Sequence, residues 1–321
     1  MYLLSYDIYG IEKGRHMKAL VYIETKDGAP VGGSLELFGA AASIGAEAEG
    51  IVIGDEAVAK AAADAVGASV SYVEADDCED VITDVVAKAA AGADVVFVAA
   101  TPTGKVVAPR IGARLDAGVV NDITGINADD GILITRPAFG GSILEQIKIK
   151  TPVAVVSVRP GSFEKPAAAA GTVAKSAIEA AAAKTQLVEH IAEQGEVVNI
   201  EDADIIVAGG RGMGSVEEFA KVIDLAEALG GAVGASRPAI EAGWIPRQHQ
   251  VGQSGKIVAP KLYVVAGVSG ATQHVAGMSG SKYVLAINTD EDAQIFEVAD
   301  LGIVGDAKKI LPLLTEAVKN R

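Results

Sequence analysis

At 321 residues the chain is about twice the usual domain size, so two domains are expected, each burying a core of its own. Half of the residues are apolar, but the aromatics are one Trp, seven Tyr and six Phe, so the cores must be built from Ala, Val, Ile and Leu, the composition of parallel α/β sheets buried on both faces. A formal charge of −15 repels phosphate backbones and anionic lipid, which argues against nucleic-acid and membrane-surface roles.

Residues 1–16 (MYLLSYDIYGIEKGRH) differ in character from the rest of the chain and are too short and too acidic for a signal or transit peptide. Glu12 to Arg15 can be encoded by purine-rich codons, as a ribosome-binding site would be, so Met17 reads as the natural start. From there apolar runs at 19–23, 50–53, 70–73 and 95–99 alternate with helical stretches such as 35–44 and 57–66. Strand and helix taking turns implies a parallel sheet with right-handed crossovers. The runs 119–126 and 132–135, with Asp129, Asp130 and Gly131 between them, predict an antiparallel pair closing that sheet. No catalytic constellation stands out in this half, and Gly140-Gly141-Ser142 reads as a turn. The Ala-rich segment 160–183 with Pro166, and the acidic stretch after it, read as an inter-domain connection, part helical and part extended. The expected division is an extension at 1–16, an N-terminal α/β domain at 17–187, and a linker with a second, Rossmann-like α/β domain at 188–321.

In the second half, the buried strand at 204–208 runs into Gly209-Gly210-Arg211-Gly212-Met213-Gly214 and then a helix opened by Ser215 and Glu218, a capping-box pair. Glycines admit a ligand close to the backbone, and a helix N-terminus offers free N–H groups to an anion. A tight strand-to-helix turn would look the same, and the spacing is not that of the usual dinucleotide fingerprint. The pattern repeats: 231–235 ends in Ser236-Arg237-Pro238, 262–266 in a loop from Gly267 to His274, and 283–287 in Asn288. Small and polar residues thus gather at the carboxyl ends of the strands, and two arginines, Arg211 and Arg237, suit a pyrophosphate-bearing cofactor. The loop from Gln250 to Lys256 is not a P-loop, because Gln250 replaces its first glycine and Ile257 its magnesium-binding hydroxyl.

The single cysteine, Cys78, excludes intrachain disulfides, cysteine-bound zinc and iron–sulfur clusters. The four histidines (His16, His190, His249, His274) show no metal-ligand spacing, and no nucleophile–base or paired-carboxylate arrangement appears. The chemistry is therefore expected to be that of an organic cofactor. No uncharged apolar run reaches membrane-span length, and the expected location is the cytoplasm.

Read in order, GGRG, GASRPAIEAGWIP, QVGQSGKIVAPKLYVVAGVSGATQHVAGM and AINTDEDAQIFEVADLGIVGD, between Gly209 and Asp306, resemble the FAD-binding domain of the α subunit of electron-transfer flavoproteins. The first domain is similar to the same family in length and alternation. The resemblance implies that Arg237 lies against the flavin ring, favouring added electron density there, that Ser254 offers a hydroxyl near N5, and that His274 stands at the O2 edge. It further implies cofactor contacts from Arg211, Ser236, Gln250, Val251, Gly252, Gln253, Ser269, Gly270, Ala271, Thr272, Gln273 and Asn288, with Asp306 at the adenosine end. Thr272 and Gln294 depart from the family pattern, the first where an apolar residue is frequent and the second where proline is common. No metal is implied. The implied protein is a heterodimeric electron carrier rather than an enzyme. Its β-subunit partner, on which the domain 17–187 would pack, would hold AMP or a second FAD, its donors would be flavoprotein dehydrogenases such as the acyl-CoA dehydrogenases of fatty acid β-oxidation, and its acceptor a quinone reductase or another acceptor. An electron-bifurcating, NADH-oxidising version shares these motifs, and an NAD-dependent enzyme remains the alternative from another class.

Overall fold

A computed structural model describes residues 17–129, 131–139, 143–185 and 200–320. Residues 1–16, Gly140-Gly141-Ser142 and the expected boundary at 187/188 lie outside the described residues. The chain divides into two compact units, one holding the described residues up to 138 and from 144 to 185, the other holding 139, 143 and 200–320.

The first unit runs β1 (Lys18–Ile23), a small hairpin of β2 (Thr25–Lys26) and β3 (Ala29–Pro30), α1 (Gly32–Leu35), α2 (Leu37–Ser43), β4 (Glu47–Ile53), α3 (Glu56–Val66), β5 (Ser69–Val73), α4 (Glu79–Ala89), β6 (Val95–Ala99) and α5 (Pro102–Leu115). It continues through β7 (Gly118–Ile123), β8 (Gly125–Asn127), β9 (Leu133–Ala138), β10 (Ile143–Lys148), β11 (Ala154–Val158) and β12 (Thr172–Lys175). Seven strands form a parallel sheet in the order β12-β5-β4-β1-β6-β11-β7. The inner strands β1, β6 and β11 are apolar almost throughout because both faces are covered. Ala19, Val21 and Ile23 of β1 pack with α2 and α3, whereas Leu20 and Tyr22 face α4 and α5. Helix starts follow their caps: Asp55 accepts from the Val58 N–H at 3.0 Å and Thr101 from the Gly104 N–H at 2.9 Å, with Pro102 in the first turn.

Three expectations are corrected. The antiparallel pair exists, with Gly125 opposite Thr135, but it belongs to a separate three-stranded sheet, β10-β9-β8, and does not close the main one. The cause is Asp122, whose φ of 62° turns the chain out of the sheet at an irregularity in the β7–β11 pairing; Arg159 holds it there with hydrogen bonds of 2.6 and 3.1 Å. Segment 160–183 is not a part-helical connection: it is extended and adds β12 to the edge of the main sheet. The single helix expected over 35–44 is two, meeting at Glu36. An inner strand that the apolar runs do not announce, β11, is buried along its whole length.

The second unit comprises β13 (Ile205–Gly209), α6 (Val216–Leu229), β14 (Ala232–Ala235), α7 (Arg237–Glu241), β15 (Leu262–Ala266), α8 (Thr272–Val275), β16 (Tyr283–Asn288), β17 (Leu301–Val304) and α9 (Ala307–Lys319). Its sheet, β14-β13-β15-β16-β17, is parallel throughout. Alternate residues feed two cores: Val207, Val264 and Ala266 meet Phe219 of α6 and Leu311 of α9, while Ile206, Ala208, Tyr263 and Val265 face the opposite side. Both units are thus α/β with mainly parallel sheets, as expected from the alternation. No helix among the described residues is long and apolar enough to cross a membrane.

Candidate functional site

The carboxyl ends of β13, β14, β15 and β16 open onto one cavity of about 730 Å³, in the size range of cofactor sites. Four local features build its wall. Gly210 and Gly212 follow β13, where a Cβ on Gly210 would stand 2.2 Å from the Gly267 carbonyl oxygen; only glycine lets these two loops touch. Ser236 and Arg237 open α7. The loop after β15 carries Ser269, Ala271, Gln273 and His274 into α8. Asn288 ends β16 and donates to the Val268 carbonyl at 2.9 Å.

The fifth wall is the segment 250–256, which crosses the strand ends and is pinned by backbone hydrogen bonds. The Val251 N–H donates to Ala235 at 2.9 Å, the Lys256 N–H to Gln250 at 2.7 Å, and the Gln253 N–H to Gln273 at 2.7 Å. Gly252 sits at φ 144° with its α-carbon pressed toward Gln273 and His274, a place for glycine only. Gln250, buried, donates to the Ser254 hydroxyl at 2.9 Å, which holds that oxygen in the wall and leaves its own proton free to donate.

Of the residues singled out in the sequence, Arg211, Ser236, Arg237, Gln250, Val251, Gly252, Gln253, Ser254, Ser269, Ala271, Gln273, His274 and Asn288 line this cavity. Three do not. Gly270, at φ 88°, packs against the Ile295 backbone; the exposed Thr272 begins α8; and Asp306 caps α9, accepting from the Lys308 N–H at 3.0 Å. Lining residues that the motifs do not single out include Pro238, Val268, Asp290 and Ala293. Asp290 has a visible signal, since its N–H donates to the Asn288 side chain at 3.1 Å in the Asn-x-Asp turn after β16.

The two cations differ from the one imidazole in setting. Arg237 has a side chain 66% exposed and is paired with Glu241 at 2.7 Å, so its charge is screened by water and by that carboxylate. His274 is buried, and its Nε2 lies 3.1 Å from the hydroxyl of Tyr263, itself wholly buried. Burial pushes the His274 pKa down to about 4, against a weaker opposing contact from the Val251 backbone, so the ring is neutral at pH 7. That contact falls short of a hydrogen bond: Nδ1 is buried with no partner among the described residues. A buried polar atom left unpaired is costly, and in a cavity wall the partner it lacks is one a ligand can supply. The lining thus combines two guanidinium groups, hydroxyls, amides, a neutral imidazole and apolar surface from Val251, Val268 and Ala293. This set suits an elongated ligand with an anionic part and a flat, hydrogen-bonding ring; it presents no nucleophile beside a base.

Two family descriptions match the chain. The electron transfer flavoprotein domain matches residues 19–186, and the electron transfer flavoprotein FAD-binding domain matches residues 199–279. The electron transfer flavoprotein subunit alpha of Megasphaera elsdenii is 49% identical over 239 residues, covering 71% of each chain. That of Mycobacterium tuberculosis strain H37Rv is 41% identical over 318 residues, covering 95% of this chain and 99% of the relative. Protein FixB of Clostridium saccharobutylicum is 44% identical over 233 residues, covering 70% of each.

Proposed function

The chain belongs to the electron transfer flavoprotein family, in the line of its α subunits, and from that premise we propose that it holds one FAD in the cavity of its second unit and works as an electron carrier. The observation that carries the proposal is the unpartnered Nδ1 of His274 in the wall of a cavity with two arginines among its lining. Bound flavin supplies reversible one- and two-electron chemistry. The chain's own residues bind and tune. Arg211 and the Ser236 hydroxyl receive the pyrophosphate, and Gln253, Ser269, Gln273 and Asn288 receive the ribityl and adenosine portions. Ser254 donates at the ring's N5 side. His274 meets the O2 edge as a neutral group, so its contribution there is a hydrogen bond and not a charge.

On this reading, electrons arrive from flavoprotein dehydrogenases such as acyl-CoA dehydrogenases and leave to a quinone reductase or another acceptor. The working unit is a heterodimer with a β subunit that holds AMP or a second FAD, and residues 17–187 pack on it. The test is to purify the chain with its β subunit, record the flavin spectrum and count FAD per heterodimer. One FAD supports the simple carrier and two the bifurcating version; a colourless heterodimer overturns the proposal.

Arg237 provides a finer check. Its exposure and its Glu241 partner reduce what its charge is worth at the ring to about that of an ordinary hydrogen bond, ~0.5–1.5 kcal/mol. Arg237→Ala is therefore expected to lower the first reduction potential of the flavin by roughly 20–65 mV, at about 59 mV per factor of ten. Reductive titration measures this, and an unchanged potential would place Arg237 away from the ring.

A further inference from the structure

A neutral imidazole has one nitrogen that donates and one that accepts, so the place of the His274 proton decides what the cavity offers a ligand. Tyr263 bears directly on that choice. It sits on β15, the middle strand of the second sheet, in register with Ile206 on one side and Val284 on the other, and it is fully buried. It is not among the residues that line the cavity. Its ring is inclined by 53° to the imidazole with centroids 6.2 Å apart, so the two side chains meet through the phenol oxygen and Nε2, at 3.1 Å, and not by stacking.

Three proton arrangements can be weighed against this geometry. A charged ring, with protons on both nitrogens, is excluded near neutrality because burial holds the His274 pKa at about 4. A proton on Nε2 alone would be donated to the phenol oxygen, and the phenol proton would then need another acceptor. Burial pushes Tyr263 up, so it keeps that proton, and among the described residues its hydroxyl has no hydrogen bond besides the one to His274. A ligand in the cavity does not supply the acceptor either, since Tyr263 stands outside the wall. This arrangement leaves two buried groups unsatisfied, the phenol proton and the Nδ1 lone pair. The third leaves one: the hydroxyl donates to Nε2, and the proton on Nδ1 waits for an acceptor.

We propose that Tyr263 is a positioning residue whose hydroxyl donates to Nε2 and fixes the His274 proton on Nδ1, so that the imidazole meets the bound cofactor as a donor only. The pyrimidine end of a flavin carries carbonyl oxygens and an N–H side by side. A donor-only imidazole pairs with an oxygen and is refused by the N–H, so the lock selects how the ring is seated. Electron density added to the ring reaches those oxygens, and a donor already in place holds them more strongly as it does. The part played toward the ring rests on FAD occupying the cavity; the lock on the imidazole does not.

The test is a nitrogen–proton correlation NMR spectrum of the heterodimer with isotope-labelled histidine, recorded near neutral pH first without flavin and then with FAD added. The signal lost in His274→Gln identifies the ring. In the stripped protein the Nδ1–H form is expected, with Nε2 at the shift of an accepting nitrogen, and FAD should move the Nδ1 proton downfield. Tyr263→Phe keeps the aromatic ring and removes only the hydroxyl. In this variant the Nε2–H form, which histidine prefers in water, should become populated, and FAD affinity should fall roughly 2- to 10-fold, by the fraction left in the competent form. A proton on Nε2 in the wild type would overturn the proposal without any variant, and so would a tautomer that Tyr263→Phe leaves unchanged. An Nδ1–H signal that FAD does not move would keep the lock and overturn the placement of flavin at His274, so the two failures are told apart.

Discussion

Gly277→Ala is expected to cost the protein most of its affinity for FAD, although residue 277 does not line the cavity. A Cβ at this position would stand 2.3 Å from the backbone nitrogen and 2.4 Å from the α-carbon of Gly252, closer than real Cβ contacts come. The obstacle is main chain, not the tip of a flexible side chain, so the segment 250–256 has to move as a whole. It is pinned on one side by the Val251–Ala235 and Gln253–Gln273 backbone bonds and on the other by the Val258 N–H donating to Gly277 itself at 2.8 Å. Displacing Gly252 and Ser254 by about an ångström misplaces every donor this loop contributes, and overpacking of this kind costs ~1–3 kcal/mol. The expected result is a roughly 10- to 100-fold rise in the FAD dissociation constant, measured by flavin fluorescence on titration into stripped protein. Gly230→Ala is the contrast: this αL cap of α6 has nothing within 4 Å of an added Cβ, so it should lose ~1 kcal/mol of stability and keep its flavin affinity. Equal flavin affinities in the two variants would show that the 250–256 loop does not hold the cofactor.

The second large effect is on acid stability. The His274 pKa falls from 6.5 to about 4 on folding because the ring is buried beside Tyr263. The unfolded chain therefore binds this proton first, so the stabilisation is complete above pH 6.5, declines as the pH falls, and is gone below about pH 4. The difference corresponds to about 3 kcal/mol, a large share of the stability of a domain. Urea midpoints of flavin-stripped protein between pH 7 and 4, followed by the fluorescence of the lone Trp244 in the second unit, should fall more steeply for wild type than for His274→Gln, whose side chain can still accept from Tyr263 but does not titrate. Parallel curves for the two proteins would mean that His274 is solvated in solution.

The alternation of apolar runs with helical stretches determined that both halves are parallel α/β units. Strands buried on both faces must be continuously apolar, and this can be read locally. The clustering of glycines and small polar residues after β13, β14, β15 and β16 likewise pointed to one edge of the second sheet, because in a parallel sheet every such loop emerges at the same end. The structure alone decided what depends on long-range pairing. β11 is a short apolar run like many others until it lies between β6 and β7; the Ala-rich segment reads as a linker until β12 finds the free edge of β5; and the antiparallel pair leaves the main sheet because Asp122 and Arg159, far apart in sequence, lock a left-handed turn. The same holds for the site. His274 is visible in its motif, but the burial that keeps it neutral, its contact with Tyr263 and its orphaned Nδ1 belong to the tertiary structure.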